Sequence, residues 1–238
     1  MSTFTPLAGT AARRRVVLMR HGHVSYYDAA GQPLNPKTAP LTDEGRAQVR
    51  AAAGSLRDVP FDRIVCSGLP RTRETAEIVA EGRGLAVEDD PGFLEIRAGR
   101  YRLIPREQRT AAYLYGFDGA HLPGARFAGG DVIAEVQARV VGALERLLLE
   151  PGWTHLLLAA HDGVNRLLLS WACGAGLAAV GGFDQDYAAF SVLDFDVEER
   201  RITRRILKAV NVTPGNLSKA GRHETSMEQV FRPLLALD

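Results

Sequence analysis

The chain reads as an α/β protein: a three-layer α/β/α sandwich around a mainly parallel sheet with one antiparallel strand. Three observations predict this. Apolar runs at residues 15–19, 61–66 and 155–160 each precede a turn and then a segment with helical spacing, the alternation that builds strand–helix–strand units. The first and third runs are apolar almost throughout rather than alternating, as in strands covered on both faces. The runs at 190–195 and 202–210 are joined by a short charged turn at 196–200, a hairpin-like pair that supplies the antiparallel strand. A chain of 238 residues buries about 70% of its unfolded surface and needs no disulfide or metal staple.

The elements follow in order. Residues 1–14 read as a flexible N-terminal arm and residues 15–238 as a single domain. After the strand at 15–19, Gly22 and a loop with Pro33, Pro36 and Pro40 lead to Thr42, which caps a helix to about Asp58. Asp43 and Glu44 suit its first turn. A strand at 61–66 precedes a helix from Leu69 to about Arg83, with Pro70 tolerated near the start, and residues 86–88 form a short third strand. Residues 97–130 break the rhythm with Arg97, Arg100, Arg102, Arg106 and Arg109, several aromatics, and Gly- and Pro-rich turns; they read as an insertion packed over the sheet. Asp131 caps a helix to Glu150, with Val132, Ile133, Val136, Val140 and Leu144 at helical spacing, and Pro151-Gly152 ends it. The strand at 155–160 leads to a helix at 164–173, and the hairpin-like pair follows. The last 28 residues show little pattern.

Composition narrows the function. Net charge is +1, which weakens any whole-protein case for nucleic acid or an anionic membrane. No apolar run reaches about 18 residues, so no membrane span is expected. The first 15 residues lack an apolar core of signal-peptide length, which makes the cytoplasm the expected compartment. Cys66 and Cys173 are too few for a disulfide framework, and their apolar surroundings predict two buried thiols. The chain has 26 Arg against 3 Lys, so the position of each arginine carries the argument.

In sheets of this kind, reactive groups collect beyond the carboxyl ends of the strands. Arg20-His21-Gly22 follows the first strand, Ser67-Gly68-Leu69-Pro70-Arg71 the second, and His161-Asp162-Gly163 the run at 155–160. An Arg/His cluster at adjacent strand ends is an anion site, and the guanidinium fork suits phosphate. Arg71 opens a helix, where a cation opposes the helix dipole unless an anion lies nearby. Ser67 can serve as a helix cap. His23, His121, His155 and His223 lack partner spacing, and no residues cluster as metal ligands.

Taken together, Arg20-His21-Gly22 after a strand, the Ser-x-x-x-Arg-x-x-x-Thr-Ala pattern of Ser67, Arg71, Thr75 and Ala76, then Glu95, then His161 after a late strand resemble the histidine phosphatase superfamily, the phosphoglycerate mutase-like proteins. The resemblance covers roughly residues 15–210. It implies phosphoryl transfer through a phosphohistidine, with neither metal nor cofactor. His21 would be the nucleophile, its other ring nitrogen held by a backbone carbonyl for which Gly22 leaves room. Arg20, Arg71 and His161 would hold the phosphoryl oxygens. Glu95, flanked by Leu94 and Ile96, would be the general acid, its pKa raised by desolvation; pairing with Arg97 or another arginine of the insertion is the alternative.

The sequence departs from the family at four places. Val24 and Tyr27 stand where the mutase branch has a hydroxyl residue and an Asn, Asp162 separates His161 from Gly163, and Gly130-Asp131-Val132 replaces a Gly-Glu-Ser element. These changes spare the nucleophile and favour a phosphomonoesterase over a phosphoglycerate mutase. A mutase and a non-catalytic phosphate- or phosphoprotein-binding module remain the alternatives. The expected partner is a small phosphorylated molecule, with a homodimer left open. Arg100, Arg102 and Arg106 are expected to meet a second anionic group of the substrate, or else to form a solvated basic face; a close charge-assisted contact there would contribute about 1.5–3 kcal/mol.

Overall fold

The computed structural model describes residues 12–28 and 34–235. Residues 1–11, most of the expected arm, lie outside the described residues, as does Pro33. Among the described residues, six strands form one sheet: β1 (Arg13–Arg20), β2 (Arg63–Cys66), β3 (Val87–Asp89), β4 (His155–Ala160), β5 (Phe190–Glu198) and β6 (Arg201–Val212), in the order β3-β2-β4-β1-β5-β6. β3, β2, β4 and β1 are parallel; β5 runs against β1, and β6 against β5. One strand is therefore reversed, as expected.

β1 begins at Arg13, two residues before the expected start. The reason lies across the sheet: Arg13 sits opposite Asp196 and Arg15 opposite Asp194, and each pair is bridged at 2.7 Å. Such directly opposed charges stabilise a ladder and cannot be seen from β1 alone. The β5–β6 turn tightens to Glu199 and Arg200, at φ 46° and 60°, the left-handed pair of a two-residue hairpin.

Helices cover both faces: α1 (Asp43–Ser55), α2 (Pro70–Ala80), α3 (Arg106–Leu114), α4 (Ile133–Leu149), α5 (Asp162–Ala172) and α6 (Ser226–Leu235). The strand pleat sorts the core. Val16, Leu18, Leu156 and Leu158 face α4 and α5, whereas Val17, Met19, Leu157 and Ala159 face α1 and α2. Among the described residues, no helix is long and apolar enough to cross a membrane.

Several expectations need correction. Thr42 caps α1 as read, its hydroxyl accepting from Gly45 N at 3.1 Å. Asp131 does not cap α4: Val132 holds that position without a side-chain bond, and Asp131 instead binds the Arg97 backbone at 3.0 Å and its guanidinium at 2.9 Å. α5 starts at Asp162, directly after His161, rather than at 164. Cys66 is buried, but Cys173 is exposed. The final segment contains α6, whose Phe231 packs against Tyr113 and Phe127 of the insertion. Its partners are more than 100 positions upstream, so local pattern does not announce it.

Candidate active site

The strand order brings the three motif segments together. β4 lies between β2 and β1, so residues 20–22, 67–71 and 161–163 leave the sheet side by side. Because β5 is reversed, residues 184–189, which lead into it, reach the same edge.

His21 is pinned by its backbone. Its N–H donates to the Ala160 carbonyl at 3.1 Å, and its carbonyl accepts from Ala188 N at 3.1 Å. Nδ1 lies 2.8 Å from the Gly22 carbonyl. A carbonyl only accepts, so Nδ1 carries the proton and Nε2 keeps its lone pair. Arg71 Nε donates to Nε2 at 3.2 Å. Burial, then the charges of Arg71, His161 and Arg20, holds the imidazole well below its ordinary pKa, so the ring is neutral at pH 7. Gly22 also lets α1 approach: a Cβ there would meet the Gly45 carbonyl at 2.5 Å.

Arg71, 4% exposed, is the second residue of α2. Its Nη1 donates to the Pro36 carbonyl at 2.7 Å. α2 has neither a capping side chain nor an acidic residue in its first turn, so the helix end and Arg71 both favour an anion. Arg20 is 2% exposed. Its guanidinium lies over the Tyr187 ring at 3.8 Å and donates to the Gln185 carbonyl at 2.5 Å. His161 is fully buried. Its ring meets His21 edge-on with centroids 5.4 Å apart, and its Nε2 is 2.8 Å from Ser67 Oγ. Burial, then Arg71 and Arg20, holds His161 well below its ordinary pKa too.

Among the described residues, four buried side-chain polar atoms lack a hydrogen-bond partner: Arg20 Nε, His161 Nδ1, Asp162 Oδ2 and Ser170 Oγ. Three of them belong to this edge. Native structures leave few such atoms, and two of these are on residues expected to bind phosphate.

Glu95 is half-buried as a residue, but its carboxyl end is enclosed. Oε1 accepts from Ile96 N at 2.8 Å and Oε2 from Gly163 N at 3.2 Å, which docks Glu95 on the start of α5. Only glycine fits at 163: a Cβ there would meet Ile96 Cγ2 at 2.6 Å and Glu95 Oε1 at 2.8 Å. Burial, then the charge of Asp162, raises the carboxyl to about 7. Arg97 is taken by Asp131 instead of Glu95. Arg139 supports the approach to Glu95 by donating to the Gly92 and Leu94 carbonyls at 2.6 and 2.8 Å.

Asp162 is a site residue that the sequence reading noted only as a departure. It bridges Arg166 Nε at 2.5 Å and Arg20 Nη1 at 3.4 Å. Burial pushes its carboxyl up, but Arg166 and Arg20 outweigh that and hold it below the ordinary carboxylate value. Arg166 reaches on to Asp184 and, at 2.9 Å, Ser226 Oγ, tying the site to α6. The i,i+4 spacing of Asp162 and Arg166 was the available signal. Tyr187 was missed as well; its signal was its place just before a strand antiparallel to β1. Ser67 is not the cap of α2, a position Leu69 holds without a side-chain bond.

The insertion reaches the edge through Phe117, whose ring abuts Gly163 and stacks on Phe127 with centroids 4.9 Å apart. Arg100, Arg102 and Arg106 are all exposed. His23 lies beside the site, its ring 5.1 Å from that of Tyr187. Among the described residues, no three His, Cys, Asp or Glu side chains gather as metal ligands.

The model of the histidine phosphatase superfamily (branch 1) matches residues 16–207. A Yersinia enterocolitica protein described as a "Probable phosphoglycerate mutase" is 30% identical over 167 residues, covering 67% of this chain and 75% of its own. A mycobacterial glucosyl-3-phosphoglycerate phosphatase superposes with TM-score 0.68 and 26% identity, over 84% of this chain and 99% of its own. The alpha-ribazole phosphatase of Shigella flexneri gives TM-score 0.65 and 26% identity, over 83% and 96%.

Proposed function

The chain belongs to the histidine phosphatase superfamily, and we propose that within it this protein is a phosphomonoesterase working through a phosphohistidine at His21. The observation that carries this reading is the pair of buried, unpartnered nitrogens, Arg20 Nε and His161 Nδ1, at the edge where His21 Nε2 carries no proton and its lone pair accepts only from Arg71 Nε, itself a phosphate ligand in this reading. An anion with several acceptor oxygens meets that need.

The chemistry follows from the positions. Nε2 of His21 attacks phosphorus, forming N–P as the ester P–O bond breaks. Arg20, Arg71 and His161 hold the three equatorial oxygens, and positioning with charge stabilisation is most of what this transfer requires. Glu95, with its carboxyl near 7, gives its proton to the departing alkoxide. The resulting carboxylate then takes a proton from water as that water attacks phosphorus, which breaks N–P and returns His21 to its neutral form. The substrate class is a small phosphate monoester, in keeping with two solved relatives named as phosphatases of different esters. Arg100, Arg102 and Arg106 offer exposed cations to a second anionic group.

The mutase reading has one supporting observation, the name of the Yersinia relative. Val24 and Tyr27 weigh against it, since Val24 lacks the hydroxyl and Tyr27 the amide that the mutase branch places at those positions. Phosphate release from a generic aryl phosphate, with His21→Ala as control, tests the proposal. Acid-quenched enzyme should carry acid-labile, base-stable label on His21; label that persists in His21→Ala, or sits on His161, would sink the assignment.

A further inference from the structure

Ser67 takes no part in the steps above, yet its hydroxyl is the group bonded to the His161 ring. The contacts form a line: His161 Nε2 to Ser67 Oγ at 2.8 Å, Ser67 Oγ to Thr72 Oγ1 at 2.9 Å, and Thr72 Oγ1 to the Leu69 carbonyl at 2.9 Å. All three side chains are essentially fully buried, so water does not compete. The line can be ordered two ways. In one, Nε2–H donates to Ser67, Ser67 to Thr72 and Thr72 to Leu69, which leaves Nδ1 a bare lone pair. In the other, Thr72 donates to Ser67 and Ser67 to Nε2, which leaves the proton on Nδ1. Leu69 does not need the Thr72 hydroxyl, because its carbonyl already accepts from Thr72 N at 3.0 Å and Arg73 N at 2.9 Å.

Nδ1 is the ring atom without a partner. A lone pair there would repel a phosphoryl oxygen, whereas an N–H would donate to it. Arg20 and Arg71 already offset the two charges of a phosphate ester, so a neutral donor suffices. Resting on the phosphomonoesterase reading, we propose that Ser67, backed by Thr72, is a positioning residue that keeps His161 a neutral Nδ1–H donor when a phosphoryl group is bound. The ring stays neutral, with its one proton on Nδ1 instead of Nε2.

Nitrogen-15 spectra of histidine-labelled protein with saturating inorganic phosphate test this without turnover. The expected His161 pattern is a protonated Nδ1 and a hydrogen-bonded, unprotonated Nε2. An imidazolium, or a proton on Nε2, would overturn the Ser67 role while leaving the phosphate site standing. No phosphate-induced change at either His21 or His161 would overturn both. In turnover of an aryl phosphate, Ser67→Ala should lower kcat about 100-fold with a much smaller change in KM, and Ser67→Thr, which keeps the hydroxyl, should recover most of it. Equal kcat in Ser67→Ala and the parent would overturn the proposal, and if that variant does not fold, the spectrum of the unmodified protein still decides.

Discussion

The edge where β1, β2 and β4 end and the insertion at 97–130 both present arginines, but in opposite settings. Arg20 and Arg71 are 2% and 4% exposed, and each is fixed by several contacts: carbonyls for both, a carboxylate and an aromatic face for Arg20, and an imidazole for Arg71. Arg100, Arg102 and Arg106 stand in solvent. A charge pair 4 Å apart is worth about 4 kcal/mol at an effective dielectric near 20 and about 1 kcal/mol in water. The same residue type is therefore buried and held in place in one region and offers at most screened attraction in the other. That revises the size of effect expected for the insertion: solvent exposure moves its arginines out of the close-contact regime.

Perturbations should rank by burial. The largest loss is expected for Glu95→Gln acting on alkyl phosphates, about 100- to 10,000-fold in kcat. Aryl phosphates, whose leaving groups need little protonation, should be far less affected; equal losses on both would remove Glu95 as the acid. The sign of the pH dependence follows from the same group. The working form is protonated and the carboxyl titrates at about 7, so kcat for alkyl esters should be level below that pH and fall as pH rises through it. Glu95→Gln should abolish this limb.

Arg71→Ala comes next, at about 100- to 1,000-fold in kcat/KM for any monoester. A loss confined to one substrate would show that Arg71 reads the substrate rather than the phosphoryl group. Asp162→Asn sharpens the comparison differently, since Asp162 raises Glu95 while pairing with Arg20 and Arg166. Its replacement should move the Glu95 limb to lower pH and destabilise the fold by about 3 kcal/mol, because the buried Arg20 guanidinium loses its carboxylate partner and Arg166 keeps only the carboxylate of Asp184. A pH profile unchanged from the parent would separate Asp162 from Glu95. The smallest effects belong to Arg100→Ala, Arg102→Ala and Arg106→Ala. Each should change kcat/KM for a multiply charged ester by about fivefold at most, with less change at high salt and none for a neutral-tailed ester. A 100-fold loss in any of them would mean that the insertion closes over the substrate and would break the comparison.

Local sequence was sufficient where a single element carries the information. The strands at 15–19 and 155–160, the Thr42 cap, and the positions of His21, Arg71 and His161 beyond strands follow from short-range chemistry. So does the raised carboxyl of Glu95, which needs only apolar neighbours to be anticipated. Other features depend on chain segments meeting across the sheet. The early start of β1 needs Asp194 and Asp196, α6 needs Tyr113 and Phe127, and the setting of Arg20 needs Tyr187 from the loop before a reversed strand. The sequence by itself thus determined the fold class and which residues, Arg20, His21, Arg71 and His161, stand beyond the strand ends, because strand periodicity and residues at strand ends are local properties. Tertiary structure alone decided the partner of His161, the bridging place of Asp162 and the exposure of the insertion arginines, because burial and hydrogen-bond partners are set by residues tens to hundreds of positions apart, and only their packing decides which charges are shielded from water.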